Sequence, residues 1–350
     1  MRIFKLFSAI FLLATIVSCS KNNPVAPVNP VTPSGAKDVY MAGFQLSGSK
    51  FVATIWKNGL ATAISNGTQN AYANSIYVSD TDVYVAGYES NGAHNIATMW
   101  KNGVATALSD GTQDATAASV FVAGTNVYVA GSENNGTYQI AKLWKNGTGT
   151  ALISDNKASS ASSVFVIGTD VYVSGFEDSG NKATIAKLWK NGTATALTNG
   201  SQSALCSAVF VAGAAVYVVG QEQSGVFLHE ASIAKVWKNG VATALTDGSH
   251  DASAFSVFVA GSDVYVAGEE YNGSNAVAKI WKNGAPTALT DGTQSAYAVS
   301  MFVAGTDAYV AGYESNGTHI VAKLWKNGAS IPLSDGTKDT YAFSVFVADK

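Results

Sequence analysis

The sequence predicts an all-β fold, a ring of seven four-stranded blades, and three observations carry that reading. The seven tryptophans, Trp56, Trp100, Trp144, Trp189, Trp237, Trp281 and Trp325, are each followed by Lys-Asn-Gly, at intervals of 44, 44, 45, 48, 44 and 44 residues. Such a period lies in the range of four-stranded blades. Each period holds four short runs of β-branched and aromatic residues, broken by Gly-Thr-Asp, Asn-Gly or Asp-Gly, and none has the 3.6-residue period of an amphipathic helix. The array is also out of phase with its own ends: it opens at Asp38 in the second run of a unit and closes at residues 344–350 in the first run of another.

The four elements follow in order. In the unit starting at Ser300, strand a is "SMFVAG", b is "DAYVAGYE", c is "VAKLWKNG" and d is "ASIPLSDG". The Asn-Gly after each Trp-Lys suits a two-residue type I′ hairpin, which needs positive φ at both central positions. Strand c is apolar on both faces, with Ala322 and Leu324 on one and Val321 and Trp325 on the other, as a strand between two neighbouring blades should be. The tryptophan is then the wedge between blades, its burial stabilising by about 3 kcal/mol, and the following lysine is expected to be solvated beside the turn. The chain starts on a b strand, "DVYMAGF", and ends on an a strand, "SVFVADK". The last strand therefore supplies the inner strand of the first blade, which closes a seven-bladed β-propeller and removes open sheet edges.

Over residues 38–350 the chain resembles the β-propeller superfamily. The layout "VYVAGYE…LWKNG" is distantly kelch-like, although kelch carries a Gly-Gly pair where this chain has Ala42-Gly43 and Ala86-Gly87; Gly-His and Trp-Asp pairs are absent. The resemblance implies a fold and no activity, because propellers host hydrolases, lyases, lectins and scaffolds alike.

Residues 1–18 read as a signal peptide: Arg2 and Lys5, an apolar run from Leu6, then small residues before a cysteine. Ile16-Val17-Ser18-Cys19 resembles a bacterial lipobox, which implies cleavage before Cys19 and its lipidation; an ordinary signal peptide or a spanning anchor is the alternative. Acyl chains at Cys19 would hold the mature protein on a membrane of the bacterial envelope, outer membrane or cell surface. Residues 19–37 carry four of the six prolines at a spacing of three and read as an extended tether, leaving 38–350 as the propeller, expected to be a monomeric domain.

Only 13% of residues are charged and 47% are hydrophobic, which suits a large ordered core. Without residues 1–18, 19 lysines face 24 acids, a net charge of about -5, and no arginine remains because Arg2 is the sole one. Nucleic acid is an unsuitable partner for such a chain, and the arginine triad of sialidase propellers is missing. Cys206 occupies a position that is alanine in most repeats and reads as a small buried side chain.

The a–b and c–d loops share one rim and barely change between copies; the b–c and d–a loops share the other, and there the copies differ. Individual function is expected on that variable rim. It carries His94, His229 and His319 in b–c loops and His250 in a d–a loop, with His229-Glu230 in the longest loop, "QSGVFLHEAS". These read as solvated loop residues or, alternatively, as a metal or acid–base site, although none has ligand spacing. Glu89, Glu133, Glu177, Glu222, Glu270 and Glu314 end the b strands, and lysines stand near all but Glu89, so cross-strand pairing explains them better than paired catalytic carboxylates. Asp110/Asp114, Asp247/Asp251 and Asp335/Asp339 suggest a weak calcium-loop reading against plain Asp-Gly turns.

Aromatic residues are the better lead: Tyr72, Tyr297 and Tyr341 share one repeat position in d–a loops, and Tyr138 and Tyr271 add to b–c loops. They suit stacking on sugars or contact with protein, unless the three in register pack inward at the channel mouth. No cofactor, metal or catalytic residue is assigned. The sequence thus points to a lipid-anchored, non-enzymatic binding or scaffold propeller for protein or glycan. A glycan hydrolase or lyase centred on His229 and Glu230, or a purely structural envelope component, are the alternatives.

Overall fold

The structure is a computed structural model that describes residues 37–153, 157–181, 183–225 and 231–350. Cys19, the tether up to Ala36, and His229-Glu230 lie outside these residues. The described residues form twenty-eight strands in seven four-stranded antiparallel sheets, with no helix among them. Each a strand lies against the next, and Thr340–Asp349 lies against Ala71–Ser79, so the ring is closed. As the phase of the repeats predicts, the last strand pairs with the first, Lys37–Ser47, setting Tyr40 opposite Phe346 and Phe44 opposite Tyr341.

Seven apolar clusters fill the seven spaces between blades, one tryptophan to each. Trp100 of the second blade packs on Tyr40, Ala42 and Ala53 of the first, while Trp56 packs on Ala311, Ala322 and Leu324 of the seventh. All seven tryptophans are 0–1% exposed. The d strands are exposed but only four residues long, a form that limits pairing with other chains.

The Asn-Gly turns have positive φ at both positions, 52° at Asn58 and 84° at Gly59. Asn58 does more than tolerate this geometry. Its Oδ1 accepts the amide of Val39 at 2.9 Å and its Nδ2 donates to Asp38 at 2.9 Å, tying the c–d turn to the start of strand b. The lysine beside the turn is solvated as expected, exposed in six of the seven copies, but it is also held in place. Lys57 Nζ lies 3.0 Å from Asp38 and 4.9 Å above the Tyr40 ring, and all seven Trp-Lys lysines sit over the equivalent tyrosine. The carboxylate and the ring face attract the ammonium together while the alkyl stem covers the turn.

Two further rings line the inner strands. Ser75, Ser119, Ser163, Ser256, Ser300 and Ser344 each accept an amide hydrogen from the next blade at 3.1–3.3 Å. The seventh position is Ala208. Two residues further along each strand, Tyr77, Phe121, Phe165, Phe210, Phe258, Phe302 and Phe346 form a closed circle of aromatic contacts at 4.8–5.0 Å. This circle constricts the channel toward the Lys-Asn-Gly rim.

Candidate functional site: the mouth of the central channel

Every inner strand carries a β-bulge next to the glycine of strand b, between Ala73 and Ser75 in the second blade. A Cβ on Gly87 would stand 1.9 Å from the Tyr72 carbonyl oxygen, so only glycine admits the bulge. The extra residue breaks the alternation of the strand and lines the channel. In ring order these residues are Phe343, Asn74, Ala118, Ser162, Ser207, Phe255 and Val299. With the serine ring they enclose about 370 Å³. This well opens on the variable rim.

Above it the wall has two unlike halves. Tyr88 stacks on Tyr72 at 4.6 Å, Tyr72 meets Phe44 edge-on at 4.6 Å, and Phe44 packs on Tyr341 at 4.8 Å. Tyr341 meets Tyr313 at 5.0 Å, and Tyr313 meets Tyr297 at 5.0 Å. This arc crosses the second, first and seventh blades and joins the well through Phe343, stacked on Phe44 at 5.4 Å. Offset and edge-on aromatic pairs each add about 1 kcal/mol beyond their burial. Tyr72, Tyr297 and Tyr341 are thus half-buried in mutual contact. Burial pushes Tyr88 and Tyr313 up to about 12. The facing half is mixed: Thr116 and Ser132 hydroxyls lie 3.2 Å apart in the third blade, Ser160 pairs with Phe176 in the fourth, and Leu205 with Gln221 in the fifth.

Glu269 stands at the end of the aromatic arc, where other blades place Phe44, Tyr88, Phe176 or Tyr313. It is 5% exposed, and its Oε2 has no hydrogen-bond partner among the described residues. Burial, against a hydrogen bond from Ser253, pushes its carboxyl up to about 7, and Asp251 and Glu270 add to the rise. The sequence reading missed this residue. Its only signal was the position after the b-strand glycine, which varies from blade to blade.

The other candidates do not converge. His94 Nδ1 lies 3.7 Å from Asp114 and His319 Nδ1 3.3 Å from Asp339, in the second and seventh blades. His250 contacts Ser249. No group of three His, Cys, Asp or Glu side chains fit to hold a metal occurs among the described residues. The Asp-Gly loops use their acids internally: Asp110 accepts from the Thr112 amide and hydroxyl, and Asp114 accepts the Asn95 amide at 2.8 Å. The strand-end glutamates pair with lysine, Lys187 with Glu177 at 3.1 Å and Lys323 with Glu314 at 3.0 Å. Glu133, Glu222 and Glu270 pair with Lys142, Lys235 and Lys279. Tyr138 and Tyr271 are 40% and 37% exposed. Cys206 is fully buried, and burial holds its thiol far above the usual range.

No described protein family matches the chain, and no curated protein does. Among solved structures it is similar to the acylaminoacyl peptidase of Pyrococcus horikoshii, at 12% identity and a TM-score of 0.53, over 87% of this chain and 52% of that one. The chain thus spans about half of that peptidase. It is also similar to the β-propeller domain of the Trilobed protease from Pyrococcus furiosus, at 10% identity and a TM-score of 0.53, over 87% of this chain and 96% of that domain. That domain has an open velcro topology, whereas here the C-terminal strand pairs with the first. At such identities the likeness is one of fold: the chain is a seven-bladed β-propeller.

Proposed function

We propose that the protein is a lipid-anchored component of the bacterial envelope whose propeller is a non-enzymatic binding module, holding a glycan or protein ligand at the channel mouth. The observation that carries this reading is the aromatic arc from Tyr88 to Tyr297. Its half-exposed rings offer stacking faces on one side of a well whose other side includes hydroxyls. A sugar, with apolar faces and polar edges, suits such a mouth.

The direction of the chain supports the same reading. Lys37 enters the ring on the Lys-Asn-Gly rim, where it contacts Asp349, so a tether from Cys19 would join the propeller on the rim opposite the mouth. An extended tether from Cys19 would span on the order of 50 Å. A second reading, a glycan hydrolase or lyase at the same mouth, draws on Glu269, which holds its proton near neutrality.

A screen of envelope glycans and envelope extracts against the full chain, with His229→Ala and Glu269→Gln beside it, tests the proposal. Ligand retained without turnover is the expected result. Turnover abolished by either substitution would overturn the non-enzymatic reading, and no retained ligand would favour a structural component. Cys19→Ala should release the protein from membranes; a variant still membrane-bound would overturn the lipid anchor.

A further inference from the structure

The opposite rim shows how this fold accommodates an ammonium group. Five times, at Lys57, Lys101, Lys190, Lys282 and Lys326, a lysine ammonium lies 4.9–5.3 Å from a tyrosine ring centroid and within 3.0 Å of an aspartate. At the end of the aromatic arc the rings and the acid are present and the ammonium is missing. Glu269 shares its surroundings with Tyr297, Tyr313 and Asp251, and Tyr297 is hydrogen-bonded to Tyr271. The adjacent Glu270 is engaged by Lys279. Glu269 Oε2 is buried without a partner, and Glu269 forms no ion pair among the described residues. A buried polar atom left unsatisfied costs about 1–3 kcal/mol, which a group donated by a ligand would recover.

The geometry points to Glu269, Tyr271, Tyr297 and Tyr313 as a binding site for an organic ammonium group. The ring faces supply cation–π attraction and the carboxylate supplies the counter-charge. A lysine side chain of a protein ligand and an amino sugar of a glycan both carry that group. The inference rests on the channel mouth being the binding face and adds the chemical class of what enters it. Ionised Glu269 is the competent form. With its carboxyl at about 7, affinity should rise with pH and be about ten-fold weaker at pH 6 than at pH 8.

The test titrates the full chain, in detergent, with n-butylammonium and with 1-butanol as the uncharged comparison. At pH 8 butylammonium should bind at least about ten-fold more tightly, and Glu269→Gln should remove that advantage while leaving butanol unchanged. Equal affinity for the two probes, or undiminished butylammonium binding by Glu269→Gln, would overturn the site. Those results would leave glycan binding at the mouth intact, so the two proposals fail separately. Lysine amide and glucosamine, compared with norleucine amide and N-acetylglucosamine, then distinguish the two sources of the ammonium group.

Discussion

The Ser344 hydroxyl, on the last strand of the chain, accepts the amide hydrogen of Ile76 in the second blade at 3.1 Å. This contact carries the inner hydrogen-bond ring across the junction between the two ends of the propeller. Ser344→Ala should therefore lower stability by about 1 kcal/mol. Ala208→Ser, at the one gap in the ring, should raise it by about 0.5–1 kcal/mol. Denaturant unfolding of both variants checks the pair, and equal midpoints for both would contradict the role given to the ring.

Gly87 is the tightest constraint on the inner strand. An alanine Cβ there would stand 1.9 Å from a backbone oxygen that cannot withdraw without losing the bulge. Gly87→Ala should cost about 3 kcal/mol or more. Gly92→Ala, in an exposed b–c loop at φ 96°, should cost about 1–2 kcal/mol. Thermal denaturation of the two variants gives the ranking.

Glu269 makes stability depend on pH in the direction opposite to an ordinary paired carboxylate. Its folded-state carboxyl, at about 7, lies above the unfolded value near 4.5, so the folded state holds the proton more tightly. The contribution is fully present below about pH 4.5 and is lost as pH rises through about 7, on the order of 3 kcal/mol in all. Glu269→Gln should flatten the stability profile between pH 5 and pH 8. An unchanged slope in that variant would place the titration elsewhere.

Much of the architecture was legible because each signal was local and repeated. The tryptophan period, the Asn-Gly turns, the phase of the two ends and the lysines facing Glu133, Glu177, Glu222, Glu270 and Glu314 need only strand periodicity to be read. The site was less legible because it depends on a break in that periodicity. The bulge at Ala73 and Ser75 turns Asn74, Phe255 and Phe343 into the channel, which a strict alternation does not anticipate. Contacts between blades were hidden for a similar reason: Phe44 and Tyr72 are 28 residues apart in sequence, yet their rings meet at 4.6 Å. Lys57 reads as solvated, which it is, but its contacts to Asp38 and Tyr40 on the neighbouring strand depend on strand register and were not legible.

The central claim is that the two rims differ in function, one building the blades and the other binding. Equilibrium binding of the best ligand from the glycan and envelope screen should be measured for the full chain, for Tyr72→Ala in the arc and for Lys101→Ala on the opposite rim. The account predicts a loss of about 1–3 kcal/mol in affinity for Tyr72→Ala and none for Lys101→Ala. Equal weakening by both, or weakening by Lys101→Ala alone, would contradict it.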